Sequence, residues 1–186
     1  MLKFKSHLPK LILKANGVKY SKGLTMIGWP VIARLNDATI NLGENVHINS
    51  SLFSNLLGLY QRTIIVARGN GKISIGDNVG MSGVTIYSRG EITIEDNVTI
   101  GANTKIFDND FHPLDADARR ENDLDKLEIR PVYIGKDVFI GCNCIITKGS
   151  TIGKNSVVGA GSVVHGNIPE NVVVAGNPAK VIKSID

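Results

Sequence analysis

The chain has 186 residues, 42% hydrophobic and 5% aromatic, with 20 glycines and a formal net charge of +4. That length fits one domain with a sizeable core, and a charge this modest gives no reason to expect nucleic acid as a partner. No apolar run approaches ~18 residues and no clean apolar stretch with a small-residue cleavage site opens the chain, which argues against a membrane span and a signal peptide and leads us to expect a cytoplasmic protein.

Residues 1–22 hold six lysines and no acid. Leu2, Phe4, Leu8, Leu11, Ile12 and Leu13 make this start amphipathic, and it reads as a basic cap with a short helix over one end of the domain that follows, 23–186. Membrane-surface contact is the lesser alternative. Trp29, further on, reads as a packing residue.

A six-residue step of aliphatic and then glycine begins early. Leu42-Gly-Glu-Asn-Val46 and Ile48 carry it, a break follows across Ser51 to Gln61, and Tyr60 within that break also reads as packing. The step returns at Ile75-Gly-Asp-Asn-Val79 and Met81, then at Ile94-Glu-Asp-Asn-Val98, Ile100-Gly-Ala-Asn-Thr104 and Ile106. Ile94 follows Ile75 by nineteen residues, so this coil carries one extra residue over eighteen. From Ile134 the step is unbroken: Ile134-Gly, Ile140-Gly, Ile146, Ile152-Gly, Val158-Gly and Val164, with small residues or Val four places later at Val138, Cys144, Ser150, Ser156 and Ser162.

Such a period is the signature of a hexapeptide β-helix, three short strands to a coil. Eighteen residues on, Ile152 should stack over Ile134, Val158 over Ile140 and Val164 over Ile146, at ~4.8 Å. The fold class is therefore all-β, with room for about seven coils, above the ~3 that such stacks need. Gly141, Asn143, Asn155, Gly159 and Gly161 are expected at corners with positive φ. Ser156 and Ser162 should point inward beside the aliphatics. Cys142 and Cys144 are not expected to form a disulfide or a zinc site, and Cys144 reads as a small core residue.

The repeat fails over 107–131, longer than the ~12–15 residues beyond which a loop in a compact domain usually has a function. The stretch 107–130 holds eight acids and four bases. His112 lies there between Phe111 and Pro113, with Asp108 and Asp110 close by. By itself a loop histidine is an ordinary surface residue, but an imidazole is also the natural general base near neutrality.

Four motifs then fall in order: Asp108-Asn-Asp-Phe-His112-Pro; Ile134-Gly-Lys-Asp-Val-Phe-Ile-Gly-Cys-Asn; Val158-Gly-Ala-Gly-Ser; and Ile168-Pro-Glu-Asn-Val-Val-Val-Ala-Gly-Asn-Pro-Ala-Lys-Val-Ile182. Over about 75–182 the chain resembles the hexapeptide-repeat acetyltransferases, and is similar to the galactoside and maltose O-acetyltransferases and to the sugar O-acetyltransferases of polysaccharide assembly. The resemblance implies a left-handed parallel β-helix, a homotrimer with its sites between subunits, and acetyl-CoA as co-substrate. It implies direct transfer of acetyl to a hydroxyl of a sugar or glycan precursor, with His112 as general base and the Cys142 backbone N–H on the oxyanion.

On the same resemblance, Cys142, Ala160, His165, Gly166, Lys180 and Lys183 are the cofactor positions, although relatives often carry lysine where Gly166 stands here. Ser82, Asp110 and Phe139 fall at the acceptor, Phe139 where the family usually has tryptophan. Asp108 or Asp110 is placed to stabilise the imidazolium. Lys180 and Lys183 read equally well as solvated surface charges, and Trp29 and Tyr60 as packing residues in preference to sugar platforms. Four alternatives remain: N-acetyl transfer to an amino sugar; a non-sugar acceptor such as serine or chloramphenicol; a three-histidine zinc lyase on the same solenoid, for which His47, His112 and His165 lack the spacing; and a non-catalytic scaffold.

Overall fold

A computed structural model describes residues 7–185. The chain winds into a left-handed parallel β-helix of three sheets, against the usual right-handed preference of parallel crossovers. Helix α1 (His7–Ala15) comes first, and its Leu13 is buried in the core. Leu2 and Phe4, and the side chain of Leu8, on which the reading as a cap also rests, lie outside the described residues. The first strand, β1 (Lys19–Tyr20), already pairs with β4 (Thr39–Leu42). The solenoid thus begins within the segment read as cap, a few residues before 23.

One sheet stacks seven parallel strands: β1, β4, β7 (Lys72–Ile75), β10 (Glu91–Ile94), β13 (Val132–Ile134), β16 (Thr151–Ile152) and β19 (Asn167–Ile168). The second holds β2 (Thr25–Gly28), β5 (His47–Ser50), β8 (Gly80–Ser82), β11 (Thr99–Ile100), β14 (Phe139–Ile140), β17 (Val157–Val158) and β20 (Val172–Gly176), closed by the antiparallel β21 (Ala179–Ser184). The third has β3 (Val31–Leu35), β6 (Ile64–Arg68), β9 (Thr85–Ser88), β12 (Lys105–Phe107), β15 (Ile145–Ile146) and β18 (Val163–Val164). Seven strands in the first sheet are the seven coils expected.

The core is a set of ladders. Ile134 pairs with Ile152, Ile140 with Val158 and Ile146 with Val164, as the period requires, and all six are fully buried. Ser156 and Ser162 are buried too. They remain satisfied, donating at 2.7 Å to the Pro169 carbonyl and at 2.6 Å to the Gly159 carbonyl. Like residues stack because the parallel register places the same repeat position directly above itself, so each aliphatic meets a partner of matching shape.

The corners have two different reasons for their small residues. Asn143, Asn155 and Gly161 have φ of 56°, 55° and 73°, as expected. Gly141 and Gly159 do not have positive φ. Gly141 is required by stacking, since a Cβ there would lie 2.6 Å from the Ala160 backbone nitrogen. At the corner that carries Asn155, left-handed Asn45, Asn78, Asn97 and Asp137 form a side-chain ladder: Asn45 donates to Asn78 at 3.1 Å, Asn78 to Asn97 at 3.1 Å, and Asn97 to Asp137 at 2.8 Å. Asparagine tolerates this backbone and links one coil to the next.

Among the described residues no helix is long and apolar enough to cross a membrane.

Candidate active site

The long excursion leaves the solenoid after β12 and returns at β13. It is ordered at its base. Asp108 is fully buried, and its carboxylate accepts from the Ser88 hydroxyl at 2.6 Å, the Arg89 amide at 2.9 Å, the Gly90 amide at 2.8 Å and Asn109 Nδ2 at 2.9 Å. The Arg130 amide donates to the Asp108 carbonyl at 2.9 Å, and Asn109 bridges Ile129. The two stems are therefore tied together. Helix α2 (Ala116–Glu121) occupies the middle, capped by Asp115, which accepts from the Ala118 amide at 2.9 Å. That hydrogen bond is the main reason the Asp115 carboxyl is held below its ordinary range.

Phe111 has φ of 63°, an uncommon state for a bulky residue and one that tends to mark functional sites. Its ring packs on Tyr87 and Phe107 at centroid distances of 5.0 and 5.4 Å, and its amide donates to Asn109 Oδ1 at 3.0 Å. These contacts hold the left-handed turn. The next residue, His112, is exposed and donates its amide to the Asp110 carbonyl at 2.7 Å. An aromatic anchor thus fixes the backbone from which the imidazole projects.

Lys148, which the sequence reading passed over, secures the loop from the neighbouring coil. Its Nζ lies 2.7 Å from Asp110 Oδ2 and also pairs with Glu128, so one ammonium holds both stems. Burial would lower the Lys148 ammonium, yet the bonds to Asp110 and Glu128 outweigh it and hold it above the ordinary lysine value. Glu128 is correspondingly held below its usual range, first by the Lys148 hydrogen bond. Only the acid excess of the loop hinted at such a partner.

At the corner between the second and third sheets, Gly101, Gly141 and Gly159 donate to carbonyls of the next coil at 2.7–2.8 Å. The amides of Cys142 and Ala160, the residues that follow, make no hydrogen bond among the described residues. Ala160 is exposed and Cys142 half-buried. The Cys142 carbonyl accepts from the Gly161 amide at 2.8 Å, which fixes the corner. Two unpaired donors stacked along one edge form a ready site for electron-rich oxygens. The Cys144 thiol is buried, and burial pushes it above its ordinary value.

His165 is exposed and its Nδ1 lies 3.2 Å from the Thr147 hydroxyl. Gly166 has φ of 82°, so a lysine at this position would be strained. In β21, Lys180 lies opposite Ala175 and Lys183 opposite Val173. A Cβ on Gly159 would touch the Ala175 side chain at 3.0 Å. Lys180 therefore stands one strand beyond the corner that carries Ala160. Both lysines are exposed and unpaired with any carboxylate among the described residues.

The acceptor residues fare unevenly. Phe139 is exposed. Ser82 is buried, and its hydroxyl accepts from Asn49 Nδ2 at 3.1 Å. Asp110 is committed to Lys148, and Asp108 to the loop base, so neither carboxylate is shown paired with His112. Trp29 and Tyr60 are not packing residues: they are 51% and 63% exposed and line one pocket.

Comparison with known proteins decides the family. The bacterial transferase hexapeptide model (six repeats) matches residues 131–166 and the hexapeptide repeat of succinyl-transferase matches 91–106. WbbJ of Escherichia coli K12, named for O-acetyl transfer in lipopolysaccharide biosynthesis, is 36% identical over 170 residues, 88% of this chain and 81% of that protein. The chain belongs to the hexapeptide-repeat acetyltransferase family. Among solved structures, this acetyltransferase is 27% identical to a maltose O-acetyltransferase from Clostridium difficile 630, with a TM-score of 0.57 over all of this chain and 79% of the other. Its identity to a galactoside acetyltransferase in complex with coenzyme A is also 27%, with a TM-score of 0.56 over 98% and 74% of the two chains.

Proposed function

We propose that this acetyltransferase moves acetyl from acetyl-CoA to a hydroxyl of a sugar or glycan precursor, directly within a ternary complex. The observation that carries this reading is the combination, on one solenoid, of an exposed histidine on a clamped loop with unpaired backbone amides at Cys142 and Ala160. A neutral hydroxyl needs a base to become a competent nucleophile. His112 takes its proton as the oxygen attacks the thioester carbonyl, and such help is worth ~10²–10⁴-fold.

The Cys142 amide receives the developing oxyanion. A fixed N–H aimed at new charge needs no reorganisation, and Cys142 contributes it without any reaction of its thiol. The residues present suit coenzyme A: the Ala160 amide can meet its carbonyl groups along the corner, the His165–Gly166 turn lies further along, and Lys180 and Lys183 supply charge for its phosphates. Phe139 walls the acceptor. Ser82 acts through Asn49, because its own hydroxyl is buried.

The working unit is a homotrimer. Outward on the third sheet, beside Thr85, Tyr87, Lys105 and Phe107, six positions are aliphatic and half-buried in the single chain (Val31, Ala33, Ile64, Val66, Ile145 and Val163), and such a face calls for a partner. Sedimentation should give three times the 20.0 kDa chain mass; a monomer at micromolar concentration contradicts this. Thiol release from acetyl-CoA across matched hydroxy- and amino-sugars tests the reaction. Turnover confined to amino-sugars would replace O-transfer with N-transfer, and no turnover with any acceptor would leave a scaffold.

A further inference from the structure

The break in the repeat at 51–61 is not a passive bulge. Its end lies down on the corner of the coils below: the Tyr60 amide donates to Asn103 Oδ1 at 3.3 Å, Asn103 Nδ2 to the Gly58 carbonyl at 3.0 Å, and Gln61 Nε2 to the Gly83 carbonyl at 2.8 Å and the Thr85 hydroxyl at 2.9 Å. Between this segment and the coil above is a pocket of about 500 Å³, lined by Gly28, Trp29, Ser51, Tyr60, Gln61 and Arg62 among others. Gly28 has φ of 84°, and a Cβ there would lie 2.8 Å from the Ser50 backbone. The turn that presents Trp29 is thus closely seated on the pocket wall.

Two features point to an occupant. Trp29 and Tyr60 expose half or more of their surface, although large aromatics are normally buried when nothing else covers them. Arg62 is exposed and Lys105 half-buried, and neither is paired with a carboxylate among the described residues. Lys105 Nζ donates to the Tyr60 hydroxyl at 3.1 Å and stands 5.3 Å from the ring centroid. Aromatic faces suit the apolar side of a sugar ring, and two unmatched cations suit phosphate.

Contacts lead from the pocket toward the candidate active site, since Tyr60, which lines the pocket, is held by Lys105. Lys105 and Phe107 lie on the outer face of β12, two residues apart and so roughly 7 Å along the strand. Phe107 packs on Phe111, beside His112. We propose that this pocket holds the part of the acceptor remote from the reacting hydroxyl, and that the acceptor is a phosphorylated sugar, free or within a nucleotide- or lipid-linked precursor, with Trp29 and Tyr60 on a ring and Arg62 and Lys105 on the phosphate. The acceptor role rests on the acetyl-transfer reading above; occupancy of the pocket does not.

Trp29 is the sole tryptophan, so its fluorescence reports the pocket directly. The full chain is titrated with the 1-phosphates of glucose, galactose, mannose and N-acetylglucosamine, with their UDP derivatives, with the neutral methyl glycosides and with inorganic phosphate. At least one phosphorylated sugar should give a saturable change, tenfold or more tighter than its methyl glycoside, and the Arg62→Ser, Lys105→Met double variant should remove that preference. A UDP derivative binding tighter than its 1-phosphate marks a nucleotide-linked acceptor, and the reverse order a free or lipid-linked one. In transfer assays Tyr60→Ala should raise KM for the same sugar tenfold or more without moving KM for acetyl-CoA. A flat titration with every probe, an equal response to inorganic phosphate alone, or an acceptor KM within twofold in Tyr60→Ala overturns the proposal. Absence of acetyl transfer by the wild type overturns the reaction instead, and leaves the titration readable.

Discussion

Lys148 Nζ stands 2.7 Å from Asp110 Oδ2, with Glu128 on its other side. A coil outside the loop thereby fixes both stems that frame His112. Asp110, by its place two residues before the histidine, reads as an acceptor or imidazolium partner; its carboxylate instead meets a lysine from the next coil, and that makes Lys148 a positioning residue.

Lys148→Met keeps the length of the side chain and removes the charge. The two carboxylates lose their common partner and the loop base loosens, while the aliphatic ladders are untouched. We expect kcat to fall about tenfold, in line with small misplacement of a catalytic group, with KM for acetyl-CoA within twofold. Lys148→Arg should restore part of the loss. Equal kcat in all three proteins, measured by thiol release, contradicts the clamp.

The clamp also has a definite pH window. Glu128 is held below its ordinary value of 4.5, so its contribution is complete above that value and is lost as pH falls through the folded value. Lys148 is held above 10.5, so its contribution is complete below that and lost only at higher pH. Amide exchange in 108–130, corrected for intrinsic rates, should therefore be flat from pH 6 to pH 8 and rise in acid below pH 4.5. A step in protection near neutrality would show that another group controls the loop.

Asp108→Ala should cost roughly 2–4 kcal/mol, because it leaves the Arg89 and Gly90 amides and the Ser88 hydroxyl of a buried site without their acceptor. Thermal and urea unfolding measure this. Asp108→Asn keeps one acceptor oxygen and should cost less. If either variant altered the pH dependence of turnover with stability unchanged, Asp108 would belong to the proton transfer and not to the loop base.

Gly141→Ala tests the corner geometry. Its Cβ would enter the space of the Ala160 backbone, and forcing the coils apart should cost about 1–3 kcal/mol and disturb both unpaired amides. A melting temperature and KM for acetyl-CoA equal to those of the wild type would contradict close stacking as the reason for glycine.

Much of the solenoid was legible because period six maps one residue position onto one place in the coil. Ile134 and Ile152 show this, as does the loop that leaves after Ile106 and returns at Val132, whereas Ile168 stacks on Ile152 after only sixteen residues, outside the period. Contacts made across the period were not legible. Nothing in the local sequence pairs Lys148 with Asp110, thirty-eight residues away, or brings Tyr60 onto Asn103. Trp29 and Tyr60 read as packing because aromatics usually pack; the insertion at 51–61 instead leaves them open to solvent. Gly141 and Asn143 both read as left-handed corners, yet only Asn143 is one, since coil stacking and backbone twist both favour small residues.

The most direct test of the account is the pH profile of His112→Ala, measured by thiol release with acetyl-CoA and a competent acceptor. In the wild type kcat/KM should rise with pH in one step across the range where imidazoles titrate. His112→Ala should lower kcat by about 10²–10⁴-fold, flatten that step, and leave acetyl-CoA affinity within a few-fold, because the imidazole acts on the acceptor hydroxyl and contributes little to cofactor binding. A variant that kept near-normal turnover, or kept the wild-type profile at reduced rate, would show that His112 is not the base.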